Sequence, residues 1–302
     1  MPRTSDQTIA TAKKGVDVIV RMYRLKMPRI WREMVNVIEN KQEFLRVLSQ
    51  GSLPTATALN QASGVTYFDY QIPWSLDIPK VKRQCGFAES FETDARDIFG
   101  LLKDKKAMIT RSIEKGQEAD IATFMNLATT GGTNFLCPDG LSWINTAHLL
   151  QSGTFSNQLS TGAPLTSASL TQALWELWVQ PDHSGDPMQF NQPVDLWVHP
   201  ANQALAVILK NALNAPTTAN LGDPNVSGKM INKIVVNSYF TNPANWMIVV
   251  SGEQNPFIYV DEDPGRFEMT YDQDHDIYKC VMFAEWGKAM IDARGAVFSP
   301  GI

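Results

Sequence analysis

Between Gly51 and Gly86 the chain reads SLPTATALNQASGVTYFDYQIPWSLDIPKVKRQC, roughly 35 residues with Pro54, Pro73 and Pro79 and no helical periodicity. A stretch of that length without a helix is uncommon inside a compact domain. The alternation around Val65, Tyr67 and Ile72 fits β-strands, so the segment is expected to form an extended two-stranded flap. An isolated hairpin is marginal in water, so the flap has to lie on another surface. Tyr67, Tyr70, Ile72 and Trp74 are the side chains expected to make that contact with a neighbouring subunit.

The segment before the flap has a different character. Residues 1–50 carry 10 Lys+Arg against 5 Asp+Glu, a net +5, whereas the remaining residues carry 16 against 26, a net -10. A basic arm therefore precedes an acidic body. Val16, Ile19, Val20, Tyr23 and Met27 follow the spacing of an amphipathic helix, with Lys13, Lys14, Arg21 and Arg24 beside them. Such a stripe needs a covering surface, which favours a protein partner over DNA alone. Beyond Pro28 a second helix is expected, with Ile30, Trp31, Met34, Val37 and Ile38 on its apolar face.

The rest of the chain has α+β punctuation. A rod-like helix is expected over about 105–129, some 37 Å long, with Ile109, Ile113, Phe124 and Leu127 on its apolar side and Gly131 and Gly132 at its end. A polar, glycine-punctuated loop region follows. Thr166 then caps a helix that turns Leu170, Leu174, Leu177 and Trp178 inward. VDLWV, INKIVV, WMIVV and PFIYVD read as short strands, with ANQALAVILKNAL as a helix between the first two. The tail reads as two long strands joined at Asp272–Asp276, with no domain break before it.

The search for chemistry finds little. G-x-x-x-x-G-K-[ST], G-x-S-x-G, H-E-x-x-H and G-x-G-x-x-G are all missing from the sequence. His148, His183, His199 and His275 never fall at metal-ligand spacing with one another. Cys85, Cys137 and Cys280 lack C-x-x-C spacing and read as buried thiols. A Cys137 and His148 nucleophile pair would have no orienting acid at a recognised spacing. Asp272, Asp274 and Asp276 match the first positions of a calcium loop, but Ile277 stands where its turn glycine belongs and Phe283 where its last glutamate belongs. Trp175, Trp178, Trp197, Trp246 and Trp286 lie in apolar runs and read as core. No catalytic, cofactor-binding or metal-ligating residue is expected. No apolar run of about 20 residues and no secretory leader is visible, so the expectation is a cytosolic product with no membrane partner.

The order of basic arm, long hairpin, long helix, α/β lobe and returning strands resembles the Hong Kong 97-type major capsid proteins of tailed bacteriophages. Locally the chain is similar to the Mu-like major head subunit family, through Asp139, Gly140, Trp143 and His148 in DGLSWINTAH, the helix after Leu165, and the DHSGDPM turn. VDLWVHPANQALAVILKNA and DHDIYKCVMFAEWGKAMIDARG add to the likeness. The resemblance implies an N-terminal arm (1–50), an E-loop (51–90), a P-domain with a spine helix (91–163), an A-domain (164–264) and returning P-domain strands (265–302). It further implies homo-pentamers and homo-hexamers forming an icosahedral shell around double-stranded DNA, which is held by non-specific contact. Portal, scaffold and decoration proteins would be the other partners. The protein would reside in the virion after assembly in the host bacterial cytoplasm.

The same resemblance places the loop of Asn214, Thr217, Asn220, Asp223 and Lys229 at the capsomer axis. An encapsulin-type nanocompartment shell shares the fold and is the alternative, separated by whether the particle holds DNA or a protein cargo. Some capsid proteins of this kind crosslink neighbours through Lys-Asn isopeptide bonds. Here no lysine lies between Thr55 and Pro79, while Lys80 and Lys82 sit at the base of the flap. Boiled mature particles are therefore expected to run as a 33.6 kDa band on a denaturing gel, and a ladder of multimers would contradict this.

Overall fold

A computed structural model describes residues 29–48, 53, 64, 67, 74–90, 92, 101–131, 137–159, 162–214, 225–261 and 265–301. In chain order they form a one-turn helix α1 (Trp31–Met34), strands β1 (Asn36–Glu39), β2 (Phe44–Leu48), β3 (Ser75–Pro79) and β4 (Val81–Ser90), and the long helix α2 (Leu101–Asn126). A short hairpin, β5 (His148–Leu149) with β6 (Thr154–Phe155), precedes helix α3 (Ser167–Trp178). Then come β7 (Val194–Val198), α4 (Gln203–Asn211), the helical turn α5 (Val226–Lys229), β8 (Ile231–Val236), β9 (Trp246–Val250) and β10 (Phe257–Asp261). The chain closes with β11 (Arg266–Asp272), β12 (Ile277–Met290) and β13 (Ala296–Ser299).

Strand β12 organises the larger sheet. Its first half pairs antiparallel with β11 on one edge and β4 on the other, and β10 takes over from β11 at Trp286. β1 then adds parallel to β10. Alternate β12 side chains, Cys280, Met282, Ala284 and Trp286, point into a core that also holds Ile109, Ile113, Ile121, Phe124 and Met125 of α2. The period of 2 on the strand and of 3.6 on the helix puts these residues on facing surfaces.

The smaller sheet has the order β13-β9-β7-β8. β7, β9 and β13 are buried at every position. Leu196, Ile248 and Val297 face a second core closed by Leu170, Leu174 and Leu177 of α3 and Leu209 of α4. Their chain neighbours Trp197, Met247 and Phe298 face the α2 core. The sheet is thus a wall shared by two cores, and its inner strand β9, WMIVV, reads as an unbroken apolar run.

Thr166 caps α3 as expected, accepting from Ser169 N in a reciprocal capping box. The tail strands join at Asp272–Asp276, where Asp272 is held down to about 2 by hydrogen bonds from Lys279 and His275. Other expectations are corrected. The second arm helix lasts one turn, because the β-branched run VNVI leaves it as β1, so Val37 and Ile38 end up exposed on a strand. Leu127 lies in the turn just past α2 and is half-buried. Trp175 is 60% exposed, on the side of α3 opposite Leu170 and Leu174. Residues 81–90, assigned to the flap, belong to the larger sheet, whereas Phe44–Leu48, assigned to the arm, is one strand of the flap. The first helix of the arm, with Val16, Ile19, Val20, Tyr23 and Met27, lies outside the described residues.

Asp120 ties α2 to the sheet. Its carboxylate accepts from Arg83 Nη2 of β4 at 3.1 Å, and from Trp286 Nε1 at 2.8 Å and Lys288 Nζ at 2.7 Å, both on β12. Burial pulls the Lys288 ammonium down from its usual range and Asp120 works against that shift. Asp120→Ala leaves this partly buried cation without its anion and is expected to cost about 2 kcal/mol, the scale of losing a hydrogen bond to a charged group. Adding Lys288→Met should restore part of that loss. Urea unfolding of both variants measures it, and equal instability in the double variant would refute the pairing.

Candidate functional site

The flap stands on the body through one face. In the β2–β3 ladder Leu45, Val47, Leu76 and Ile78 pack toward Ile258, Val260 and Ala289. The alternation of a strand then turns Phe44, Arg46 and Leu48 outward. Phe44 and Leu48 are 44% and 52% exposed, and Arg46 between them donates two hydrogen bonds of 2.6 Å to Asp77 across the ladder. Farther out Tyr67 is 89% exposed. Trp74 instead turns inward and meets His183 edge-on at 5.0 Å. Tyr70 and Ile72 lie outside the described residues. Beneath the hairpin a cavity of about 550 Å3 opens between Ile78, Pro79, Arg83, Asp120, Trp143 and Lys288.

A second apolar surface surrounds α4. Leu205, Val207, Ile208, Leu213 and Val226 are exposed there, while Ala206 and Leu209 face the core. In the adjoining segment Asn214 and Lys229 are exposed, Lys229 ending the α5 turn rather than lying in a loop. Thr217, Asn220 and Asp223 lie outside the described residues. Buried Asn225 pins the segment, donating to Leu209 O at 2.6 Å and Ala212 O at 3.0 Å.

The arm leaves the body beside α2. Glu118 accepts from Trp31 N at 3.3 Å and from Asn237 Nδ2 at 3.1 Å, and Arg29 pairs with Glu114 at 3.0 Å. Burial raises the Glu118 carboxyl above its usual range; these hydrogen bonds oppose the shift and Glu114 adds to it.

A third feature is internal. His148 Nδ1 lies 2.7 Å from Asp139 Oδ2, with His148 fully buried. Leu141 N donates to the other Asp139 oxygen at 3.1 Å, and the buried Cys137 thiol faces Trp143 O at 3.8 Å. Asn157 bridges this loop to the end of β12, donating to Trp143 O at 2.9 Å and Ala293 O at 2.8 Å. The acid that sequence spacing failed to provide for His148 is therefore Asp139. Burial, reinforced by Asp139 and Asp292, pushes the Cys137 thiol well up, the opposite of what an activated nucleophile needs. Elsewhere His199 caps a helical turn, accepting from Ala201 N, and His275 pairs with Asp272. No described helix is long and apolar enough to cross a membrane.

A family model described as phage capsid protein matches residues 80–297, more than half of the chain. This chain belongs to the phage capsid protein family. Solved capsid structures share its fold at low identity. The capsid of an empty GTA particle superposes with a TM-score of 0.58 at 11% identity, covering 90% of this chain and 89% of that one. The mature capsid of bacteriophage PhiM1 gives 0.58 at 11%, covering 90% and 87%. The procapsid of bacteriophage JBD30 gives 0.51 at 12%, covering 98% and 76%. No curated protein matches the chain.

The capsid protein has the Hong Kong 97-type α+β fold and works as part of a phage shell. Among the described residues Tyr67 is exposed, and the strand alternation expected around it lies outside them. Phe44 and Leu48 were missed because β2 was read as arm. The α4 surface was missed because ANQALAVILKNAL is apolar nearly all round, so periodicity does not separate its outer face from its inner one.

A pH test follows from the arm exit. A carboxyl with a raised folded pKa destabilises the fold once ionised, and the cost fades as pH falls through that value toward the ordinary glutamate value of about 4.3. Glu118→Gln removes this dependence. The capsid protein is therefore expected to gain stability relative to Glu118→Gln on going from pH 7 to pH 5 in paired denaturant titrations. A constant difference between the two would show that Glu118 is not shifted.

Proposed function

We propose that the capsid protein is the major head subunit of a tailed phage, close to the Mu-like family, assembling as pentamers and hexamers into an icosahedral shell around double-stranded DNA. The observation that carries this reading is the flap. It is clamped to the body by Leu45, Val47, Leu76 and Ile78, yet presents Phe44, Leu48 and Tyr67 to solvent. Among the described residues nothing covers that surface, and a neighbour in a capsomer would. The two sheets support an A-domain built on β7, β8, β9 and β13 and a P-domain built on α2 and β12, with the α4 surface and the 214–229 segment toward the capsomer axis.

The role is structural rather than enzymatic. The +5 arm lies along acidic surfaces of adjacent subunits, with packaged DNA a secondary, non-specific partner, and portal, scaffold and decoration proteins are the further partners. Assembly takes place in the host cytoplasm. Each subunit should bury an area of the obligate class, on the order of 2,000–5,000 Å2.

Deleting residues 55–72 keeps the β2–β3 ladder and its apolar anchor. The variant is expected to give soluble, folded subunits by circular dichroism and no shells in negative-stain images, while the full chain gives particles with five-fold and six-fold capsomers that contain DNA. Normal particles from the deletion, or full-chain particles filled with a protein cargo, would overturn the reading.

A further inference from the structure

We propose that Cys137, Asp139 and His148 form a zinc-class divalent cation site inside the subunit. The thiol sulfur, a carboxylate oxygen and an imidazole nitrogen lie within 4.8 Å of one another, and this is the one such group among the described residues. A tetrahedral zinc ion holds sulfur at about 2.3 Å and nitrogen or oxygen at about 2.0–2.2 Å, so its ligands sit roughly 3.3–3.7 Å apart. Small side-chain adjustments bring these three to that spacing. Thiolate with imidazole and carboxylate is a donor set for zinc, whereas magnesium and calcium take oxygen ligands.

Two further observations bear on the site. His148 is fully buried, so its ring is fixed in place beside Asp139. Its Nδ1 is the nitrogen that faces Asp139, so the ion would replace the Nδ1–Asp139 hydrogen bond and leave the ring proton on Nε2. Next to Cys137 and Asp139 there is also a cavity of about 20 Å3, bordered by Phe155, Asp292 and Arg294. It has room for one water molecule, which supplies the fourth ligand.

On binding, the Cys137 S–H bond breaks, a sulfur–metal bond forms, and the proton leaves to solvent. Thiolate and carboxylate then balance the two positive charges of the ion. Residues 137–148 come from the loop after α2, and Asn157 already hydrogen-bonds this loop to Ala293, just past β12. The ion would fasten that loop within the body of each subunit, a staple that needs no neighbouring copy.

Purified full-chain protein, as particles or as free subunits, is incubated with zinc chloride, desalted and analysed by mass spectrometry of the elements. About one zinc per subunit is expected. Cobalt(II) in its place should show thiolate charge-transfer absorption in the near ultraviolet and the visible bands of a tetrahedral ion. Cys137→Ser and His148→Gln should each weaken zinc binding by at least about 10-fold. Negligible zinc on the unsubstituted protein overturns the proposal without any variant having to fold. Full zinc retention by either variant, or cobalt bound without the thiolate band, also overturns it. The readout does not depend on whether shells form, so it stands or falls separately from the capsid role.

Discussion

One carboxylate holds the spine helix to its sheet. Asp120 receives donors from two strands that are themselves neighbours, Arg83 on β4 and Trp286 and Lys288 on β12. The apolar contacts of Ile109, Ile121 and Phe124 press the helix down, but they are non-directional and would tolerate sliding. Hydrogen bonds to a charged group are directional, so they fix the helix in register against strands whose side chains alternate. The flap depends on the same place. Its inner face sits over β10 and the end of β12, and the cavity beneath it is bordered by Asp120 and Lys288.

The wall between the two cores sets the other constraint. Trp197, Met247 and Phe298 face one core while Leu196, Ile248 and Val297 face the other, so both cores lose part of their lining if the wall is removed. Each fully buried apolar side chain contributes about 1.5–3 kcal/mol, so the wall stabilises both cores at once. A body built this way suits a shell subunit. It leaves apolar side chains exposed on the β2–β3 ladder and on α4.

The loop from Cys137 to Asn157 shows a different kind of order. It has little regular structure, yet Asp139 holds His148 and Leu149 N, while Asn157 accepts from Asn145 N and donates to Trp143 O and Ala293 O. Buried polar groups must be paired, so a polar loop inside a protein is held as tightly as a strand once its partners are in place.

The sequence by itself determined the elements whose signal is local. The Thr166 cap, the length of α2, the apolar runs of β7, β9 and β10, and the tail hairpin at Asp272–Asp276 were all legible, because periodicity and capping act over a few residues. The family resemblance was legible from the order of those elements. What only the tertiary structure decided depends on partners far along the chain. Asn36–Glu39 becomes a strand because it pairs with Ile258–Asp261, and Phe44–Leu48 joins the flap because Ser75–Pro79 returns to it. Trp175 stays outside because the sheet occupies the opposite side of its helix. Asp139 meets His148 because a loop folds back over nine residues. Local patterns state which surface must be buried, and the physical reason they go no further is that the surface covering it is contributed by residues they do not contain.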